Sequence, residues 1–206
     1  MIPALDLTVW QIFLRATGGL VAIGVFGAAL AWMFKLLGDE GPVLDGRGHP
    51  SPVLHTGWLA WVGTVIVRFG WAKPLDVDPR LLRGGPLGTA AAVVAAMAVL
   101  VALGNLALFL SPYPVRFFPP PFGIGVQNWL TTLAPICALT VLMNLIPLPP
   151  FAAGYVLKAY APRVYNRLPP DWLIGFAVIA AIYMMRPIGA QGLLLQLASL
   201  LLSGRL

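Results

Sequence analysis

Charge is scarce in this sequence: 10% of its 206 residues are Asp, Glu, Lys or Arg, against about 25% in ordinary soluble domains. Side chains that do chemistry are scarcer still. There are two histidines, His49 and His55, a single glutamate, Glu40, and a single cysteine, Cys137. One cysteine excludes an internal disulfide and leaves the redox compartment unread. With 59% hydrophobic residues the chain has more apolar surface than a water-soluble globule of this size can hide, so its solvent is lipid. The net charge of +6 does not point to nucleic acid, because the basic residues are scattered between apolar runs. Lys and Arg beside a membrane, facing anionic lipid, account for them. Asp6 precedes the first apolar run and no short apolar region ends in a small-residue cleavage site, so no cleavable signal sequence is expected.

Long uncharged runs are what the chain does have. About 20 apolar residues span a bilayer core of roughly 30 Å. Ala16 to Phe34 carries no charge and is flanked by Arg15 and Lys35. Gly84 to Val115 is uncharged for 32 residues and Phe117 to Leu157 for 41. The second of these is divided by Pro119 to Pro121 before a helix and by Pro147, Pro149 and Pro150 after it, with Pro135 inside. The pattern predicts helices near 12–36, 85–110, 126–145, 171–185 and 188–203, with a break at Arg186-Pro187. Pro50 to Val67 could cross by length, but its prolines, His55, Gly57 and Gly63 favour a re-entrant or interfacial segment over 50–83. The expectation is one all-α integral membrane domain over 1–206, a bundle of about four to six transmembrane helices. If 50–67 does not cross, Lys35, Arg47, Arg68, Lys73, Arg80, Arg83, Lys158, Arg163 and Arg167 share one side, which the positive-inside rule makes cytoplasmic, with Arg15 and Arg116 outside.

Four segments share an order and spacing worth reading together. They are Leu37-Gly38-Asp39; Gly46-Arg47 with Pro52 and His55; Phe69-Gly70-Trp71-Ala72-Lys73-Pro74 followed by Asp78-Pro79-Arg80; and Asn144-Leu145-Ile146-Pro147-Leu148-Pro149-Pro150-Phe151-Ala152-Ala153-Gly154. The last resembles the Asn-x-x-Pro-x-Pro-Pro-Leu-Asp-Gly segment of the site-2 proteases, zinc metalloproteases that cut within membranes. The third resembles the Gly-Trp-Ala-Lys-Pro signature of one bacterial branch, and the others fall where that branch has a turn and a Gly-Arg…Pro-x-x-His segment. The resemblance implies a site-2-protease-like helical bundle in a bacterial inner membrane, with Gly70, Trp71, Lys73, Pro74, Asn144, Pro147, Pro149, Pro150 and Gly154 as its scaffold and partner-contact positions.

It also implies where the chemistry should be. Active members carry His-Glu-x-x-His on the first core helix, two His at i and i+4 holding zinc and the Glu acting as general base. Counting back from Gly38 by the family's spacing puts those positions at Phe26, Gly27 and Leu30, and the Asp ligand's place is taken by Ala152. With two histidines six apart and one glutamate, no His-Glu-x-x-His exists in any register. The family's Ala-Gly-Pro-x-x-Asn is not reproduced either; Gly85-Pro86 starts the following helix and the spacing lands on Ala95-Ala96-Met97. No catalytic residue, metal site or cofactor is therefore expected.

The expected function is a non-catalytic homologue, a scaffold or assembly subunit packed against lipid and the transmembrane helices of a larger membrane complex. The alternatives are an active intramembrane metalloprotease with non-standard ligands, or a small transporter or lipid-binding protein. His49 and His55 read as ordinary loop or interfacial histidines, the alternatives being a partner or cofactor contact or a metal shared with Asp39, Asp45 or Glu40. Arg68 and Lys73 around Phe69 and Trp71 read as interfacial anchors, with Lys73 also a candidate partner contact.

Overall fold

The computed structural model describes residues 7–185 and 189–202, which are mostly helical apart from a long stretch without helix over 68–85; their single β-type bridge pairs Thr56 with Ala72. Helix α1 (Val9–Leu36) starts on Thr8, whose hydroxyl accepts from the Gln11 amide at 3.2 Å while the Gln11 side chain accepts from the Thr8 amide at 3.4 Å. That reciprocal cap satisfies two orphan donors, so the helix begins earlier than its apolar run. After α2 (Pro52–His55) and α3 (Trp58–Val67) come α4 (Pro86–Leu110), short α5 (Pro114–Phe117) and α6 (Phe122–Asn144). Then follow α7 (Ala153–Tyr160), α8 (Pro162–Tyr165), α9 (Asp171–Met184) and α10 (Ala190–Leu201). The expected break at Arg186-Pro187 lies outside the described residues.

Among the described residues three stretches are long and apolar enough to cross a membrane: α1, α4 with its continuation to Phe117, and α6. They pack on one another and form the centre of the core. Their outer faces stay apolar, with Val94, Leu106 and Phe109 on α4 more than half exposed, as side chains against lipid should be. Helix α3 packs on α1 and on α9, α10 lies on α6, and α7 lies on α4. At 10, 14 and 12 residues, α3, α9 and α10 each cover only part of a bilayer by length.

The stretch from Pro50 to Val77 gives the fold its character. Helix α3 runs antiparallel to α1: the His55 ring lies against Gly27, Thr64 against Gly19, and Arg15 Nη1 donates to the Val65 carbonyl at 2.9 Å. A Cβ on Gly19 would come within 2.2 Å of Thr64 Oγ1, so only glycine lets the two backbones approach this closely. Arg68 closes α3 in a left-handed conformation, φ 64°. The chain then returns without helix, and the Lys73 amide donates to the His55 carbonyl at 2.6 Å. Both arms thus end side by side. Arg68 is consequently not on the Lys35 side, where sequence put it; it shares a crevice with Gln11 and Arg15 at the other end of α1. The charge count misassigned it because an αL turn at the tip of a hairpin leaves no compositional mark.

Candidate functional site

The returning arm is buried, with Phe69, Trp71, Ala72, Leu75 and Val77 all under 9% exposed. Backbone without helix in such a place must find its partners elsewhere. Side chains supply them. The Gly70 amide donates to Thr140 Oγ1 at 3.3 Å, and the Gly70 carbonyl accepts from Asn144 Nδ2 at 3.0 Å. Further on, the Leu75 amide donates to the Tyr155 hydroxyl at 2.6 Å and the Asp78 amide to Asp39 Oδ2 at 2.9 Å. Asp39 also accepts from the Gly41 amide at 3.0 Å, so this buried carboxylate is a backbone clasp joining the turn after α1 to the end of the arm.

Asn144, fully buried at the end of α6, joins the two motif segments. Its Nδ2 donates to Gly70 O and to Thr140 O at 2.8 Å, while its Oδ1 accepts from the Ala152 amide at 2.9 Å. Trp71 meets Phe151 edge-on with centroids 5.4 Å apart. Pro74, Pro149, Pro150 and Gly154 line one narrow crevice with Tyr155. Gly70 and Asn144 are thus joined directly, Trp71 packs on Phe151, and Pro74, Pro149, Pro150 and Gly154 share the one crevice, whereas Lys73 points to the Val53 carbonyl. Pro147 is exposed at the bend before them, and Lys73 is only partly buried.

The four positions where the resemblance would put metal chemistry are apolar. Phe26, Leu30 and Ala152 are at most 2% exposed and belong to one continuous hydrophobic core. Ala152 is the N-cap of α7 and offers no side-chain acceptor there, a position where Asp, Asn, Ser or Thr is usual. Zinc needs nitrogen, sulfur or carboxylate donors, about three from protein at a catalytic site. These residues do not fit it. Among the described residues no three His, Cys, Asp or Glu side chains gather anywhere. Ala96 and Met97 of α4, where the family's next motif would fall, also face the core.

His55 is the surprise. Sequence made it a loop or interfacial histidine; the structure puts it in the core, fully buried, with its ring against α1. A Cβ on Gly27 would lie 2.2 Å from His55 Nδ1 and 2.5 Å from Cγ, so the imidazole fills the space a side chain at 27 would need. Its Nε2 is 2.9 Å from the His49 carbonyl, whereas Nδ1 has no hydrogen-bond partner. His49 itself is exposed. The signal that could have found this is the set of glycines on α1: Gly19 meets Thr64, Gly24 meets the Pro50 carbonyl, and Gly27 meets His55. Each marks a close crossing by the same hairpin.

The chain is 23% identical over 176 residues to the Bacillus subtilis protein named "Putative zinc metalloprotease YwhC", an alignment covering 83% of this chain and 80% of that protein. No protein-family model matches the chain. No solved structure matches it.

Proposed function

We propose that this chain is a member of the site-2 protease family that keeps the family's framework and has lost its metal chemistry. On this reading it serves in a bacterial inner membrane as an accessory or assembly subunit, packing against transmembrane helices of a partner complex. The observation that carries the proposal is a contrast within a few residues. Asn144 still binds the Gly70 and Ala152 backbones together, while Phe26, Gly27, Leu30 and Ala152 around that framework have no metal donor and no base. The alignment to the Bacillus protein, at coverage of 83% of this chain, supports the family assignment. In the same reading the hairpin from Pro50 to Lys73 is re-entrant, and α9 and α10 complete a bundle of about four to six membrane helices.

The Bacillus protein's name favours a second reading, a working intramembrane metalloprotease with ligands outside the usual motif. The two readings differ in what purification yields. The accessory reading expects a stoichiometric companion when the native chain is extracted in mild detergent. It also expects no cleavage of a transmembrane substrate by the purified chain. A lone monomer in repeated preparations contradicts it, as does cleavage that a chelator abolishes.

A further inference from the structure

Among the described residues Arg68 is the one residue other than glycine with a positive φ. It ends α3 at φ 64° and ψ 23°, a left-handed conformation that crowds a Cβ and in which glycine is the usual occupant. Strain held at such a position points to a use for the side chain. Arg68 lines a crevice of about 130 Å3 with Gln11, Arg15, Thr131 and Thr132. That is well below the roughly 300–1,000 Å3 of a pocket for a drug-sized molecule. It suits a group of a few heavy atoms.

The lining carries charge of one sign. Arg15 and Arg68 are both cationic, and no carboxylate is among the described residues around the crevice. A cleft of one sign draws the opposite charge into it. Arg15, itself buried, gives Nη1 to the Val65 carbonyl at 2.9 Å. A guanidinium has five N–H donors, so a bond within the chain leaves others for a ligand. Gln11 is made a third donor by the cap of α1. Its Oε1 accepts from the Thr8 amide at 3.4 Å, which leaves Nε2 to donate. Thr131 and Thr132 give their protons to carbonyls of α6, so toward the crevice their oxygens act as acceptors.

We propose that this crevice binds one phosphate group, held by Arg15, Arg68 and Gln11 Nε2. Guanidinium forks match phosphate oxygens two at a time. Donors from two elements, α1 and the hairpin tip, suit a tetrahedral group. The threonine oxygens suit a hydroxyl on that group or beside it, which an ionised carboxylate lacks. The phosphate is either the free ion or part of a lipid headgroup. Arg68 also borders a narrow apolar crevice with Val67, Leu139, Leu194 and Leu195, where an acyl chain of the lipid would lie. The assignment is independent of whether the chain is an accessory subunit or a protease.

The full chain in neutral detergent is given inorganic phosphate, followed by equilibrium dialysis. Separately it is given short-chain phosphatidylglycerol, followed by native mass spectrometry. At least one probe should bind saturably, one per chain. Arg68→Gly should weaken that binding on the order of tenfold, the size of one lost hydrogen bond to a charged group. Its melting temperature without ligand should hold or rise, because glycine suits the left-handed turn. Gln11→Glu keeps an acceptor for the Thr8 amide but sets a carboxylate in the crevice, and it should abolish binding. Binding of inorganic phosphate alone assigns the site to the free ion, and binding of phosphatidylglycerol alone assigns it to a headgroup. A chain that binds neither overturns the proposal, as does binding that Arg68→Gly and Gln11→Glu leave unchanged. Lost binding together with a lower ligand-free melting temperature in Arg68→Gly would give that side chain to the fold, and overturns it as well.

Discussion

Replacing Asn144 with leucine should cost this protein about 2–6 kcal/mol, the sum for two buried backbone groups left without partners at about 1–3 kcal/mol each. The groups are the Gly70 carbonyl and the Ala152 amide, both held by the Asn144 side chain. Thr140 O also loses a donor from Asn144 Nδ2, but it sits within α6 and keeps its place in the helix ladder. Leucine keeps the branching of asparagine at Cγ but is the larger side chain, so crowding at this fully buried position adds to the loss of hydrogen bonds. Asn144→Asp separates the two bonds: it keeps an acceptor for Ala152 and presents a carboxylate oxygen to the Gly70 carbonyl, so it should also destabilise. Thermal unfolding in detergent should fall by about 5–20 °C for the leucine variant, using 2–4 °C per kcal/mol for a chain of this length. A fall below about 2 °C would mean that the returning arm is held by packing alone.

The second large effect is at the crossing of α1 and the hairpin. Gly27→Ala puts a methyl group where His55 Nδ1 and Cγ already are, at 2.2 and 2.5 Å. The gain in helix propensity, about 1 kcal/mol, opposes this, but overpacking in a filled core costs about 1–3 kcal/mol and more when a rigid ring cannot move aside. His55→Ala alone leaves a cavity and removes the bond to the His49 carbonyl. Combined with it, Gly27→Ala should cost little, because its methyl enters the vacated space. The double variant should therefore be more stable than the sum of the singles by about 1–3 kcal/mol, measured as a thermodynamic cycle from melting curves. Additive losses would show that the imidazole and the glycine do not share one space. The same crowding bears on rebuilding a metal centre. Phe26→His, Gly27→Glu, Leu30→His and Ala152→Asp together should accept zinc only when His55→Ala is also made.

Much of this arrangement could be read from sequence, for identifiable physical reasons. Helices α4 and α6 stand out because charge-free length and proline runs are direct consequences of a lipid solvent, and sequence placed the start of α4 within a residue. The Asn144 and Gly70 segments stood out as motifs, although their meaning was hidden: what looked like two signatures is one hydrogen-bonded clasp. Helix α7 was missed because eight residues, Ala153–Tyr160, are too few to show a period against an apolar background. The positions of His55 and Arg68 were misread for a different reason. Both depend on how deeply the hairpin lies along α1, which is a tertiary property. The glycines at 19, 24 and 27 on α1 are a trace of it in the chain, and they also suit any closely packed membrane helix.

The central claim, a membrane framework kept without its metal, is tested most directly by elemental analysis. The full chain would be purified from cells grown with added zinc, and the metal measured per chain by mass spectrometry after gel filtration. Zinc should be well below stoichiometric and unchanged by Ala152→Asp alone. One zinc per chain, bound within the membrane domain and lost on chelation, would contradict the account.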